Sequence, residues 1–199
     1  NGVVNALAFA PNGNLWIGGS FTNADGTNGD GLCFWDGTAF HPYWEPNLSS
    51  GTEINNGVLT IAFDGAGKLL IGGYFTNAGG IAFGDYIARW NGTSWEALGS
   101  GVNARVYQIY VSGNEIYAAG VFTIAGGLTL TDRVAVFANG AWHPLHIDLP
   151  GTSYINSLLP SNDGSLYIGG DFSGTAKTGV VALNLNVASA SANTYPVIS

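Results

Sequence analysis

The chain has 199 residues, of which 31 are glycine, and only 9% are charged. An apolar share of 46% excludes a disordered chain, and Gly, Asn or Asp interrupts every apolar run well before the roughly 18 residues of a membrane helix. The net charge of −8, with five scattered basic residues, argues against nucleic-acid binding, which needs clustered Lys and Arg to neutralise phosphates.

The first predicted element is a hairpin that recurs along the chain. An alternating strand from Val4 to Phe9 meets the turn Pro11-Asn12-Gly13, and a second strand returns from Leu15 to Thr22. Because Asn-Gly and Asp-Gly accept the positive φ of tight turns, we expect four such hairpins at intervals of about 50 residues. The equivalent turns are Asp64-Gly65, Gly113-Asn114 and Asp163-Gly164.

A second hairpin follows each of the first three. It runs from Trp35 through Asp36-Gly37 to Phe40, and Asn91-Gly92 and Asn139-Gly140 repeat its turn. No window offers apolar residues at helical spacing over three turns, and Gly recurs too often for a helix. The sequence therefore predicts an all-β chain of about sixteen strands.

The shared positions define four repeats, at 1–53, 54–102, 103–153 and 154–199. Four-stranded antiparallel sheets in repeats of about 50 residues are the blades of a β-propeller, in which each sheet buries its faces on its neighbours. The paired glycines would let a neighbouring blade's backbone or aromatic ring approach closely, and the repeated aromatics would fill the spaces between sheets. The predicted structural positions are Gly18, Gly19, Phe21, Gly72, Gly73, Phe75, Trp90, Trp95, Gly120, Phe122, Trp142, Gly169, Gly170 and Phe172.

Gly-Gly after an apolar strand, followed by Trp-Asn-Gly-Thr-Ser-Trp at 90–95, resembles the kelch-like repeat of galactose-oxidase-central-domain-like propellers in bacterial secreted and cell-surface proteins. The second repeat matches nearly throughout from Ile71 to Leu98, whereas the fourth has Asn184 where Trp90 would stand. The resemblance implies a propeller fold and an extracellular or cell-surface location. It implies no activity, since propellers host many unrelated functions. The four repeats either close a small ring or belong to a larger one.

Catalytic patterns do not emerge from the sequence, which has no Ser-His-Asp set, phosphate-binding loop or spaced Cys/His cluster. His41 and His143 occupy the same repeat position in different blades, so we expect them to point in different directions and not to share a copper ion. The single cysteine, Cys33, lies between Leu32 and Phe34 and predicts a small buried hydrophobe. We therefore expect no enzyme and no cofactor, with calcium as the possible exception.

The loop 23–30 is the one loop that is dense in oxygen ligands at alternating positions, as hard cations prefer. Asn23, Asp25 and Asp30 are accordingly candidate calcium ligands. A structural role competes with this interpretation, because Asp30, Asp85 and Asp132 recur at one repeat position. Such a carboxylate could accept backbone N–H bonds in the loop before the third strand.

Trp44 is a tryptophan that the repeats do not share. It lies in the insertion Tyr43-Trp44-Glu45-Pro46-Asn47, and an unrepeated, exposed Trp is a better binding candidate than a repeated one. Tyr43, Trp44 and Glu45 are therefore candidate ligand-binding residues. The alternative is a Trp that covers the edge of a blade.

Three functions fit these observations. The first is a non-catalytic surface propeller that acts as a recognition or assembly scaffold for a protein or glycan partner. The second is a carbohydrate-binding, lectin-like propeller with one sugar site per blade. The third is a self-assembling structural subunit of a surface layer or filament, which binds other copies of itself through blade edges or uncharged faces.

Overall fold

The computed structural model describes residues 2–24, 27–28, 31–42, 54, 57–129, 133–145, 152–161, 164–172 and 179–184. Its regular structure consists of antiparallel strands apart from one short 3-10 turn, so the prediction of an all-β chain is confirmed. The main sheets follow one another along the chain, and we number them units 1 to 4.

Units 1 and 2 are both sheets of four strands. Unit 1 contains β1 (Gly2–Phe9), β2 (Leu15–Phe21), β5 (Leu32–Trp35) and β6 (Phe40–Pro42), and the short pair β3 (Asn23–Ala24) and β4 (Thr27–Asn28) lies between β2 and β5 in the chain. Unit 2 contains β7 (Val58–Phe63), β8 (Leu69–Gly73), β9 (Ile87–Trp90) and β10 (Trp95–Glu96), with the 3-10 turn η1 (Ala78–Gly80) between β8 and β9. In both units the strands are ordered in space as they are in the chain.

Units 3 and 4 continue the series. Unit 3 contains β11 (Val106–Ser112), β12 (Glu115–Gly120), β15 (Val134–Ala138) and β16 (Ala141–Pro144), with the short pair β13 (Ile124–Ala125) and β14 (Leu128–Thr129) after β12. Unit 4 contributes three described strands, β17 (Thr152–Pro160), β18 (Ser165–Phe172) and β19 (Val180–Asn184). The boundary expected between 153 and 154 thus falls inside β17.

A β-bulge interrupts the first strand of every unit, for example between Val4 and Ala6. It lies opposite the glycine pair in units 1, 2 and 4 and opposite Ala119-Gly120 in unit 3. A Cβ atom on the second glycine would lie 2.0–2.4 Å from a backbone oxygen of its own unit, in the bulged strand or directly before it. Only glycine fits at that distance. The second glycine is therefore required by the backbone of its own sheet and not, as we expected, by the close approach of a neighbouring sheet. The glycines concerned are Gly19, Gly73, Gly120 and Gly170.

The first glycine of the pair faces the following unit. A Cβ atom on Gly18 would lie 2.6 Å from Val58 Cγ1 and 3.0 Å from Ile61 Cδ1, and Gly72 meets Val106 and Ile109 in the same way. A close neighbour was expected here, but it is an aliphatic side chain and not a ring or a backbone. The reason is the strand pleat, which presents the branched side chains of the next unit's first strand to the glycine.

Hydrophobic cores lie between consecutive units. We call the face of a sheet that is turned toward the following unit its forward face, and the opposite face its backward face. Each core lies between the forward face of one sheet and the backward face of the next. Leu32 of unit 1 packs with Val58, Ile71 and Phe75 of unit 2, and burying each such side chain stabilises the fold by roughly 1.5–3 kcal/mol. Ile87 and Val134 occupy the position of Leu32 in the cores at the next two boundaries.

Repeated aromatic side chains fill these cores. Phe75 and Phe122 are fully buried, and Trp95 and Trp142 are nearly so. The Trp142 indole Nε1 donates a hydrogen bond of 2.7 Å to the Leu98 carbonyl across the boundary between units 2 and 3. The repeated tryptophans are thus part of the packing between sheets.

The described strands of units 1 and 4 do not pack extensively against each other. Within the described part of the chain, the sheets therefore form an open row with two end faces. Among these residues no helix is long and apolar enough to span a bilayer.

Candidate functional site

The first strands of consecutive units lie side by side, so the same end of each strand reaches one shared surface. At this end, the repeat position before the shared Phe holds Ser20, Tyr74, Val121 and Asp171. The position opposite it, on the first strand or directly before it, holds Val3, Gly57, Arg105 and Tyr154. The surface is therefore built from residues that differ between units although their backbone positions are equivalent.

Side-chain contacts cross each unit boundary at this surface. The Tyr74 hydroxyl hydrogen-bonds to the Ser20 hydroxyl, and the Arg105 guanidinium lies 5.6 Å from the centroid of the Tyr74 ring. The rings of Tyr107 and Tyr154 meet edge to face at 6.4 Å. We name these five residues, Ser20, Tyr74, Arg105, Tyr107 and Tyr154, the rim row.

Gly57 makes the contact between Ser20 and Tyr74 possible. A Cβ atom on Gly57 would lie 2.4 Å from the Ser20 Oγ and from the Tyr74 Oη. Any larger residue would displace one of the two hydroxyls. The hydrogen bond between Ser20 and Tyr74 therefore requires glycine at position 57, directly before β7.

The rim row is accessible to a ligand. Ser20 and Arg105 are exposed, Tyr154 is 39% exposed, and Tyr74 and Tyr107 are half-buried. Together they offer hydroxyl groups that donate and accept, ring faces that stack, and one guanidinium cation. Such a surface suits a partner that combines polar groups with apolar faces, as sugars and peptides do.

Most of the residues predicted to bind ligands or metal lie outside the described residues. These are Tyr43, Trp44, Glu45, Asp25 and Asp30. Asn23 is described: it pairs with Asn28 in the β3–β4 ladder and borders an open cavity of about 370 Å³. The other residues that line this cavity include Val4, Ile17 and Phe21, whose side chains are apolar and cannot ligate a cation. Among the described residues no three His, Cys, Asp or Glu side chains cluster as metal ligands would.

Asp85 shows what the repeated aspartate does in unit 2. Its carboxylate accepts a hydrogen bond of 2.6 Å from the backbone N–H of Asn77, eight residues earlier. This is the structural task expected for the repeated position. Its counterparts Asp30 and Asp132 lie outside the described residues.

The two repeated histidines lie in separate sheets, His41 in β6 and His143 in β16. The His41 ring stacks on Phe34 with centroids 4.8 Å apart, and its Nε2 lies 2.7 Å from the Asp36 carboxylate. A histidine held in this way serves the local hairpin. The third histidine, His146, lies outside the described residues.

Charged groups away from the rim row stabilise turns and strands. The Ala39 N–H, followed by the hydroxyl and N–H of Thr38, holds the pKa of the Asp36 carboxyl well below its usual range. In unit 2 a hydrogen bond of 2.7 Å from the Asn91 amide, with help from Arg89, lowers the pKa of Glu96. These carboxylates stay ionised as acceptors.

Sequence reasoning missed the rim row. Its residues occupy positions that differ between repeats, whereas residue types that recur between repeats indicate the core. The available signal was the variation itself: Ser20, Tyr74, Val121 and Asp171 precede a constant Phe. Residues that vary beside a constant core residue are typical of an exposed surface, because the stability of the fold does not depend on their identity.

No family model matches this sequence, and no curated protein matches it. Among solved structures, the chain is similar to the extracellular domain of the hybrid two-component system BT3049 from B. thetaiotaomicron, with a TM-score of 0.58 and 19% identity. It is also similar to the extracellular domain of the one-component system BT4673 from the same organism, with a TM-score of 0.55 and 14% identity. Each alignment covers 94% of this chain and 24% of the other.

A further similar structure is PorZ, a surface component of the type-IX secretion system of Porphyromonas gingivalis, with a TM-score of 0.51 and 16% identity. That alignment covers 92% of this chain and 24% of PorZ. The chain thus spans about a quarter of the length of each of these three structures. At these identities the likeness concerns the fold.

Proposed function

We propose that the sheet units are blades of an extracellular or cell-surface β-propeller with kelch-like repeats, which acts as a non-catalytic recognition scaffold. The observation that carries the proposal is the rim row, whose contacts cross each boundary between units and so join the blades into one accessible surface. The similar structures support the location, since two are extracellular domains and one is a bacterial surface component.

The chemistry of the rim row favours binding over catalysis. Its described side chains offer stacking faces, hydroxyls and one guanidinium, and no carboxylate or imidazole is paired with a nucleophile there. Such groups hold a partner by hydrogen bonds and ring contacts. The partner class is a protein segment or a glycan.

A lectin is the second candidate, and the three tyrosines of the rim row favour it because phenol rings stack on sugar faces while their hydroxyls bond to sugar hydroxyls. One identical sugar site per blade does not fit, since the rim position differs between Ser20, Tyr74, Val121 and Asp171. A lectin on this scaffold would use one extended site across several blades.

The test is a glycan array and a surface-peptide library, probed with the wild-type chain and with the variants Tyr74→Ala and Arg105→Ala. Leu128→Ala is a matched control, because Leu128 is a 47% exposed apolar side chain in the β13–β14 hairpin, outside the rim row. We expect both rim variants to lose binding at least about tenfold, as buried interface residues of these types do. A ligand that binds all three variants equally would place the site elsewhere, and Trp44→Ala then tests the insertion at 43–47.

A further inference from the structure

In the described part of the chain the backward face of unit 1 is exposed, although the same face of each later unit packs against the unit before it. Val4 is 53% exposed, whereas its counterparts Val58, Val106 and Ile155 are fully buried. Leu7 is 62% exposed, whereas Ile109 and Leu158 at the same register are 3% and 5% exposed. Unit 1 therefore presents side chains that the fold otherwise packs against a preceding unit.

Among the described residues, the forward face of unit 4 is exposed in the complementary way. Val180 is 62% exposed, whereas its counterparts at the same register, Leu32, Ile87 and Val134, are at most 1% exposed. Gly169 also lacks the neighbour that its counterparts have. A Cβ atom on Gly169 would meet only atoms of its own unit, the nearest being Ser157 Cβ at 3.4 Å.

The two faces are the two halves of the interface that the chain already builds between its units. In unit 2, Ile71, Phe75 and Trp95 share one buried cluster with Leu32 of the preceding unit. In unit 1 the equivalent residues, Ile17, Phe21 and Phe40, line the open cavity of about 370 Å³. Val180 stands where Leu32 does, so unit 4 offers the group that this cavity lacks.

We propose that the forward face of unit 4 docks on the backward face of unit 1 in a second copy of this chain. Val180 enters the cavity beside Ile17 and Phe21, while Val4 and Leu7 of the other copy cover Gly169. The contact is heterologous, so copies join head to tail and either close a ring or extend. The proposal rests on sheet packing and is independent of what the rim row binds.

The test measures molar mass by light scattering and sedimentation over a concentration series of the chain. Wild type should associate as concentration rises. Leu7→Asp blocks the backward face by placing a carboxylate in an apolar contact, and Gly169→Val blocks the forward face by filling the space that Val4 and Leu7 need. Each variant alone should raise the dissociation constant at least about tenfold.

A mixture of the two variants identifies the geometry. Leu7→Asp keeps an intact forward face and Gly169→Val keeps an intact backward face, so an equimolar mixture should form a heterodimer and nothing larger. Leu128→Asp, a similar change outside both end faces, should associate as wild type does. Circular dichroism confirms that each variant is folded, which is expected because both altered positions are exposed or open.

A wild-type chain that stays monomeric at every concentration would overturn the proposal. So would dimers that survive Gly169→Val and fail only with Leu7→Asp, because these would pair two backward faces. A mixture of variants that stays monomeric while wild type associates would equally exclude the head-to-tail contact.

Discussion

Gly18 of unit 1 and Val58 of unit 2 meet across the boundary between two sheets, so closely that a Cβ atom on Gly18 would lie 2.6 Å from Val58 Cγ1. Gly72 and Val106 repeat the relationship one unit later, at 2.8 Å. The glycine removes the side chain that would hold the sheets apart, and the valine fills the space. This pairing determines how closely unit 2 packs against unit 1 and unit 3 packs against unit 2.

Alanine should therefore destabilise the chain at one of two equivalent glycines and have little effect at the other. In Gly72→Ala the new Cβ lies 2.7 Å from Thr60 Cγ2 and 2.8 Å from Val106 Cγ1, and such overpacking should lower the free energy of unfolding by about 1–3 kcal/mol. Gly169→Ala meets no atom within 3.4 Å, so it should change that free energy by less than about 1 kcal/mol. Denaturant unfolding at low protein concentration measures both, and equal losses would contradict the packing described at the boundary.

Local sequence patterns account for the hairpins but not for the surface between units. Turns such as Asp36-Gly37 could be predicted because a positive φ favours the same residue types in every repeat. The shared Phe75 could be predicted because its buried position requires a large apolar side chain in every repeat. The role of Gly19 could not, because the bulge that requires it is invisible in the alternation of β1. The contact between Tyr74 and Arg105 joins residues of different units, so it emerges only when the sheets are packed.

A buried hydrogen bond between units 2 and 3 should contribute measurably to stability. The Thr60 hydroxyl, in a residue only 5% exposed, accepts a hydrogen bond of 3.1 Å from the Ile109 N–H. Thr60→Val keeps the shape but leaves that N–H unpaired in the core, which should cost about 1–3 kcal/mol of unfolding free energy. Thermal and denaturant unfolding report the loss.

Thr60→Ser is the matched control, because it keeps the acceptor oxygen and removes only a methyl group. It should be destabilised by about 1 kcal/mol through the lost methyl. If Thr60→Val proved the more stable of the two variants, the hydrogen bond would contribute less to stability than the Thr60 methyl group, which would contradict the prediction.

The turn after β5 should weaken in acid. Hydrogen bonds from Ala39 and Thr38 lower the pKa of Asp36, so their stabilisation is present above the usual pKa of an aspartate and is lost as pH falls through the lowered value. Asp36→Asn should remove this acid sensitivity, because Asn91 makes the same turn bonds in unit 2, to Thr93 and Ser94. Asp36→Ala should lower the melting temperature at every pH.

Melting temperatures of these three chains between neutral and strongly acidic pH provide the measurement. The difference between wild type and Asp36→Asn should narrow or reverse as the pH falls below the usual aspartate range. A constant difference across the whole series would show that the Asp36 carboxylate does not stabilise this turn.

The Cys33 thiol should be unreactive in the folded chain at pH values where a free thiol reacts. Cys33 is 1% exposed, and burial raises its pKa from 9.0 to about 11. Because the thiolate is the nucleophile, alkylation by iodoacetamide should reach half its maximal rate near pH 11 in the native chain and near pH 9 in urea.

Between these two pH values the unfolded state loses the Cys33 proton that the folded state retains, so the free energy of unfolding should fall as the pH rises through this window. Cys33→Ala should remove both effects and still fold, since Ala88 occupies the equivalent place in unit 2. Native alkylation that already levels off near pH 9 would show that the thiol is not held in the apolar surroundings of the unit 1 cavity.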